Sequence, residues 1–346
     1  MSDPTSYPGV YVKEITSTSP VVYSNETTVP IIGLEGWPAG AAQKLNSYAD
    51  FLSHNDTNGD DDIDMHSYFE CGGGPCYVVS YKDFLTEVPK HDDVTLLVNA
   101  RKHDMNSDVA ALCQPGRGLF ALLDRPATEI TNSTAASDYP ETPFAATYYP
   151  WLKAPWNAGN IPAAIVMAGM YCVSDRTRGI WKAPANIALP AGYTPQYIVT
   201  DDLQGKYNTG KAINMIRQID DRGLLVWGAR TLEDSDEWRY ISVRRLFNSA
   251  ERDIKTSLRS MVFEPNNQPT WEKVRSAINN YLYGLWRQGA LVGTTEQQAY
   301  FVKIGKDITM SADDIAQGQM IVQVGMAATR PAEFIILQFT QDVVPA

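Results

Sequence analysis

The run Gly205-Lys206-Tyr207-Asn208-Thr209-Gly210-Lys211-Ala212 has the glycine and lysine spacing of a phosphate-binding loop, in which backbone amides cradle phosphate and the lysine reaches its outer oxygens. The match fails at the next position. A hydroxyl is needed there to hold Mg²⁺, and Ala212 has none, while Asp201 and Asp202 stand just upstream where phosphate would be repelled. The preferred reading is a plain loop before a helix, and the alternative is a nucleotide-binding ATPase using residues 205–212.

Asp56-Thr57-Asn58-Gly59-Asp60-Asp61-Asp62-Ile63 places oxygen ligands at alternate positions, as the front of a calcium loop does. Asp61 occupies the position that needs glycine, however, and Ser67 the one that needs a bidentate glutamate. A solvated surface loop from Ser53 to His66 is expected instead. His54, His66, His91 and His103 share one half of the chain with Cys71 and Cys76, but Cys-x4-Cys lacks a second pair at zinc-ligand spacing. No Gly-x-Ser-x-Gly elbow occurs, and no histidine lies beyond His103 to serve a downstream nucleophile. The sequence therefore predicts no catalytic residues, no metal and no cofactor.

With 346 residues, 44% hydrophobic and 20% charged, the chain has the composition of an ordinary globular protein of two domains. A net charge of −11 opposes a nucleic-acid partner, which calls for a basic footprint. No apolar run approaches the ~20 residues that span a bilayer, so no membrane insertion is expected. Met1-Ser2-Asp3-Pro4-Thr5 lacks the regions of a signal peptide, and Cys71, Cys76, Cys113 and Cys172 are too scattered for a disulfide framework. Cytosolic synthesis and reduced thiols are expected.

The elements that would position any site fall into two styles. Thr28 to Gly33, Tyr77 to Ser80, Val94 to Val98 and Leu119 to Leu123 read as strands, with a helix near Asp108 to Leu112, so residues 21–195 predict an outer α/β domain. Tyr148-Tyr149-Pro150-Trp151 and Trp181 to Asn186 read as proline-bounded loops. Then come a strand at Ile198-Val199, a helix at Ala212 to Ile219 and a strand at Leu224 to Trp227.

In the last third, Val243, Leu246, Phe247, Ala250, Ile254 and Leu258 form the apolar stripe of a helix whose Arg244, Arg252, Lys255 and Arg259 are expected in water. The stretch Phe263-Glu264-Pro265-Asn266-Asn267-Gln268-Pro269 breaks it, and Thr270 can cap a second helix burying Trp271, Val274, Ile278, Tyr281, Leu282 and Leu285 up to Gly289. Thr294 with Gln297 has capping-box spacing, Ser311 with Asp314 suggests another short helix, and Gln319 to Ala328 alternates like a strand. Tyr7, Val10, Tyr11 and Val12 belong to a strand-like arm over residues 1–20. Phe334, Ile335, Ile336, Leu337 and Phe339 form a closing strand apolar on both faces.

The residues resemble those of contractile tail sheath proteins of phages and phage-tail-like injection systems of the antifeeding-prophage type. The resemblance rests on Tyr7 to Tyr11, Gly72 to Val79, Asp175 to Asn186, Val226 to Leu232, Trp238 to Phe247 and Arg330 to Phe334. It implies an inserted α/β domain and a C-terminal helix-and-sheet domain over 196–346, with strands at both chain ends completing the sheets of neighbouring subunits. It further implies a helical homo-oligomer around an inner tube, joined by baseplate and terminal cap proteins and by sheath paralogues. Assembly in the bacterial cytoplasm into a released particle or phage tail would follow. The chain is short for a phage sheath, which favours an injection-system member.

Overall fold

A computed structural model describes residues 22, 28–54, 59–99, 101, 104–124, 127–130 and 138–334. The N-terminal half runs β1 (Pro30–Leu34), β2 (Gln43–Leu45), α1 (Tyr48–His54), α2 (Asp60–Glu70), β3 (Cys76–Ser80), α3 (Phe84–Glu87), β4 (Leu96–Asn99), α4 (Asn106–Leu112), β5 (Phe120–Leu123) and β6 (Ala145–Tyr149). It continues through β7 (Leu152–Ala154), β8 (Asn157–Ile161), α5 (Ala163–Arg178), β9 (Ile187–Ala188) and β10 (Thr194–Pro195). The rest comprises α6 (Asp201–Lys206), β11 (Ile213–Ile219), β12 (Gly223–Trp227), α7 (Ile241–Leu258), α8 (Gln268–Arg287), α9 (Glu296–Ala299), β13 (Tyr300–Lys303), α10 (Ala312–Ala316) and β14 (Gln323–Met326).

Among the described residues, the main sheet has nine strands in the order β2-β3-β1-β4-β5-β6-β11-β12-β9. Its centre from β3 to β11 is parallel, while β2 pairs antiparallel with β3, β12 with β11 and β9 with β12. Successive side chains leave a strand on opposite faces. Thus Ile32, Leu96, Val98 and Phe120 enter one core with α5, while Ile31, Leu97 and Ala121 enter another with Phe84 and Val109. This two-sided cover is why the central strands are apolar throughout. Helix α5 has twelve buried residues and approaches so closely that a Cβ on Gly169 would lie 2.6 Å from the Tyr68 carbonyl oxygen.

A third core gathers Leu246 and Ala250 of α7, Val274, Ile278 and Leu282 of α8, and Tyr300 of β13. Met320, Val322, Val324 and Met326 all pack against it, matching the alternation of the sequence, and β13 pairs antiparallel with β14. Val22, Ile180 and Trp181 enter the same core and so join the C-terminal elements to the rest.

The architecture is the expected mixed α/β one, with local corrections. Residues 213–219 are strand β11, not helix: they pair with β6 and, through a turn at Asp220–Arg222, with β12, so sheet pairing overrides helical spacing. Ile198-Val199 forms no strand. Tyr148 and Tyr149 end β6, where loop was expected, and Leu152–Ala154 follows as β7. Part of the expected acidic loop is α2. Strands β11 and β12 lie beyond residue 195 yet share the sheet with β6 and β9, so the sheet crosses the expected boundary at 195/196.

In the last third, Asn267 rather than Thr270 caps α8, accepting from the Thr270 amide at 3.3 Å. Thr294 donates to Gln298, not Gln297. Ser311 and Asp314 do form a capping box. Arg244, expected in water, is buried. Tyr7, Val10, Tyr11, Val12, Ile335, Ile336, Leu337 and Phe339 lie outside the described residues.

Candidate functional site

The phosphate-loop candidate folds differently from a nucleotide cradle. Gly205 and Lys206 end α6, Tyr207 is buried, and Ala212 leads into a strand, so no helix N-terminus faces the loop. The Gly210 amide donates to Asp234 Oδ2 at 2.9 Å and Lys211 Nζ donates to the Tyr139 carbonyl at 2.7 Å. Burial would raise the Asp234 carboxyl, but the Gly210 amide and the Arg239 guanidinium outweigh it and hold it below the usual range.

The acidic stretch is equally committed. Asp61 Oδ2 accepts from the Gly36 amide at 2.9 Å, Asp62 from Tyr48 Oη at 2.6 Å, and Asp64 takes a two-pronged bond from Arg101 at 2.9 and 3.0 Å. Asp56 falls outside the described residues. Burial pushes Asp64 up to about 7 against the pull of Arg101. His66 packs on Tyr48 and Trp156 with ring centroids 4.8 and 4.2 Å away, and His91 on Tyr77 at 4.3 Å; His103 is outside the described residues. Cys71 and Cys76 are buried free thiols whose pKa burial raises. Among the described residues, no group of three or more His, Cys, Asp or Glu side chains is placed to hold a metal ion.

What the fold does assemble are two arginine anchors, one on Glu333 near the end of the described chain and one between α7 and α5. Arg230, in the Val226 to Leu232 stretch, grips Glu333 of the Arg330 to Phe334 stretch: Nε lies 3.0 and 3.1 Å from its two oxygens and Nη2 2.6 Å from Oε2. Tyr240 Oη adds a bond to Glu333 at 3.3 Å, and Arg230 Nη1 donates to the Asn208 carbonyl. The arginine backbone is itself pinned. Its amide donates to Asn214 Oδ1 at 2.8 Å, and Asn214 Nδ2 donates to the carbonyls of Arg230 at 2.8 Å and Thr147 at 3.1 Å. Any Cβ on Gly228 would sit 2.8 Å from Asn214 Oδ1, so this close approach requires glycine. Phe334, just past the anchor, is exposed.

The second anchor ties α7 to α5. Arg245 Nη1 and Nη2 meet the Asp175 oxygens at 3.1 and 2.5 Å, with side chains only 3% and 1% exposed. Thr28 donates to Asp175 and accepts from Arg245 Nη2 at 2.8 Å, and the Tyr171 ring lies 4.7 Å from the guanidinium. Burial alone would lower the Arg245 pKa, yet the Asp175 carboxylate raises it, so the arginine stays charged. Neighbouring Arg244 is buried against the rings of Trp238 at 4.2 Å and Phe144 at 4.9 Å, with Glu251 at 3.2 Å. Spacing could not pair Arg245 with Asp175 or Arg230 with Glu333, which are 70 and 103 residues apart. The available signal was that all four sit in the stretches that carry the family resemblance.

Both anchors are ion pairs that tie distant segments of the fold together. Residues 233–342 match the family described as phage tail sheath C-terminal domain. The chain is 53% identical to a chain of the PVC sheath complex of an extracellular contractile injection system in its contracted state, over 99% of both chains with a TM-score of 0.92. It is 41% identical to the helical sheath of the anti-feeding prophage in its contracted state, over 98% of this chain and 100% of that one, with a TM-score of 0.84. The tail sheath protein of Enterobacteria phage T4 is 27% identical over 201 residues, 52% of this chain and 30% of the phage protein. The chain thus spans less than a third of that curated relative. The chain belongs to the contractile tail sheath family, as a structural sheath subunit.

Proposed function

We propose that the chain polymerises helically around an inner tube and contracts to drive that tube through a target envelope, consuming no nucleotide and catalysing no reaction. The observation that carries this reading is the Arg230–Glu333 anchor, which ends the described chain on a fixed point with exposed Phe334 leading outward. From there Phe334, Ile335, Ile336, Leu337 and Phe339 reach a neighbouring subunit, as Tyr7, Val10, Tyr11 and Val12 do from the other end. The receiving element is the two-stranded ladder of β13 and β14, too small to be a finished sheet; strand addition would give it main-chain hydrogen bonds.

Residues 1–20 act as the arm, the α/β part as the outer domain and the part from α7 onward as the sheath core. Energy is stored at assembly. If contraction buried ~500 Å² more apolar surface per subunit, at roughly 25 cal/mol/Å² it would yield on the order of 12 kcal/mol before entropy and desolvation are subtracted. Baseplate proteins, a terminal cap and sheath paralogues complete the particle, which assembles in the cytoplasm and is then released. Electron microscopy of the protein co-expressed with its tube tests the reading: rods or rings are expected, and dispersed monomers or rods that need ATP would refute it.

A further inference from the structure

We propose that the loop tip Val262-Phe263-Glu264 of one copy docks into the pocket formed by Trp181, Trp227 and Tyr240 of the next copy, adding a lateral contact to the links made by the chain ends. The proposal rests on the sheath reading, because its occupant is a second copy of this chain.

The tip is built to project. After α7, one 3-10 turn buries Met261 in the C-terminal core, and the chain then leaves the surface. Val262 is exposed and Phe263 fully so. Phe263 also adopts φ 74°, a left-handed backbone that costs a bulky side chain stability and that glycine would adopt freely. Such strain is retained where the surroundings fix it, often at binding surfaces. Here the base of the loop is fixed: Asn266 Nδ2 donates to the Gln319 carbonyl at 2.8 Å, and Trp271 Nε1 donates to Asn266 Oδ1 at 2.7 Å. An aromatic side chain is thus held out in advance, which lowers the ordering cost of binding. Glu264 beside it is exposed and makes no ion pair among the described residues.

The pocket has the complementary chemistry. It measures about 750 Å³ and opens between the C-terminal end of α5, strand β12 and residues 329–334. Trp181, Trp227 and Tyr240 supply aromatic walls, while Arg178, Lys182 and Arg330 stand exposed around it. Lys182 and Arg330 make no ion pair among the described residues. Of the carboxylates that also line the pocket, Asp201 is paired with Arg217 and Glu333 with Arg230, so on a chain of net charge −11 the exposed Arg178, Lys182 and Arg330 leave this rim locally positive. An aromatic side chain followed by a carboxylate satisfies both features at once. Tip and pocket are different surfaces of one chain, so the contact is head-to-tail and repeats without limit or closes into a ring, as stacked rings or helical rows of subunits require.

The test uses the full chain co-expressed with its tube, with rods counted by pelleting and electron microscopy and the monomers followed by thermal melts. Phe263→Gly relieves the backbone and should melt at or above the wild-type temperature, yet raise the concentration needed for rods by roughly tenfold or more, as loss of a central aromatic anchor does. Glu264→Lys should do the same, and adding Lys182→Glu should restore assembly. Variants that assemble like wild type overturn the contact while leaving the sheath reading intact. A Phe263→Gly monomer that unfolds would show the tip to be structural, and a charge swap that fails to rescue would remove the pairing. Rods that form normally but lose their tube would make the tip a tube contact instead. Wild-type protein that forms no rods at all would sink the sheath reading itself.

Discussion

Replacing Asp175 with leucine is the most demanding test of how the two parts of the chain are joined. The carboxylate is 1% exposed and holds a guanidinium that is 3% exposed, so removing it leaves Arg245 buried with Thr28 as its one hydrogen-bond partner among the described residues. Breaking a buried pair from one side costs about 3–5 kcal/mol, because the surviving charge keeps its desolvation penalty without its partner. Removing both charges avoids that penalty, so Asp175→Leu combined with Arg245→Met should return most of the loss. Exposed Lys44 and Asp93, 2.8 Å apart, supply the control, since such pairs contribute no more than about 1 kcal/mol. In urea, with a slope of about 3 kcal/mol/M or more for a chain of this size, the single variant should lose about 1 M in midpoint. The double variant and Lys44→Met should move far less. A single variant that shifts no further than Lys44→Met, or a double variant worse than the single, would refute the reasoning.

Glu333→Ala should leave a folded monomer by circular dichroism, at a cost of about 1–3 kcal/mol for an arginine left short of its acceptor, but pellet no rods; normal rods would count against the anchor. Deleting residues 1–19 should likewise preserve a cooperative melt while abolishing contractile sheath, and a chain that no longer folds would show the arm to be part of the core. Lys211→Ala should cost only about 1 kcal/mol, for its bond to the Tyr139 carbonyl, and assemble equally with and without ATP. The pH dependence has a definite sign. Asp64 is raised to about 7 when folded against about 3.9 when unfolded, so its contribution is complete below pH 4 and is lost as pH rises through 7. Denaturation midpoints should fall between about pH 4 and 7, and Asp64→Asn should flatten that slope; an unchanged slope would exclude Asp64 as its source.

Where burial is one-sided, the elements could be read from the residues. The apolar stripe of α8, the Leu246, Ala250, Ile254 and Leu258 row of α7, and the alternation from Met320 to Met326 all face one core and so leave a period. Helix α5 left none, because it is buried nearly all round and its small and apolar residues have no polar face to contrast with. Strand β11 was misread because Ile213, Met215, Ile216 and Ile219 also fit helical spacing; only its pairing with Thr147 to Tyr149 decides. The same holds for the charges. Arg244 looks like part of the wet side of an amphipathic helix until Trp238 and, from a distant part of the chain, Phe144 close over it. Neither anchor is a local pattern, and nothing in the spacing announced that Phe263 stands fully in solvent.

The Arg230–Glu333 grip also sets the path that mechanical load must take. A pull on the C-terminal segment reaches Glu333 first and is shared there among parallel bonds from Arg230 and Tyr240. Asn214 holds the Arg230 backbone from both its amide and its carbonyl, and passes the tension to Thr147 in β6, in the middle of the nine-stranded sheet. The β13–β14 ladder lies upstream of the grip in sequence and is bypassed. A tug on the C-terminal segment would therefore load the nine-stranded sheet of the subunit that donates it, while the β13–β14 ladder would take the load in the subunit that receives it.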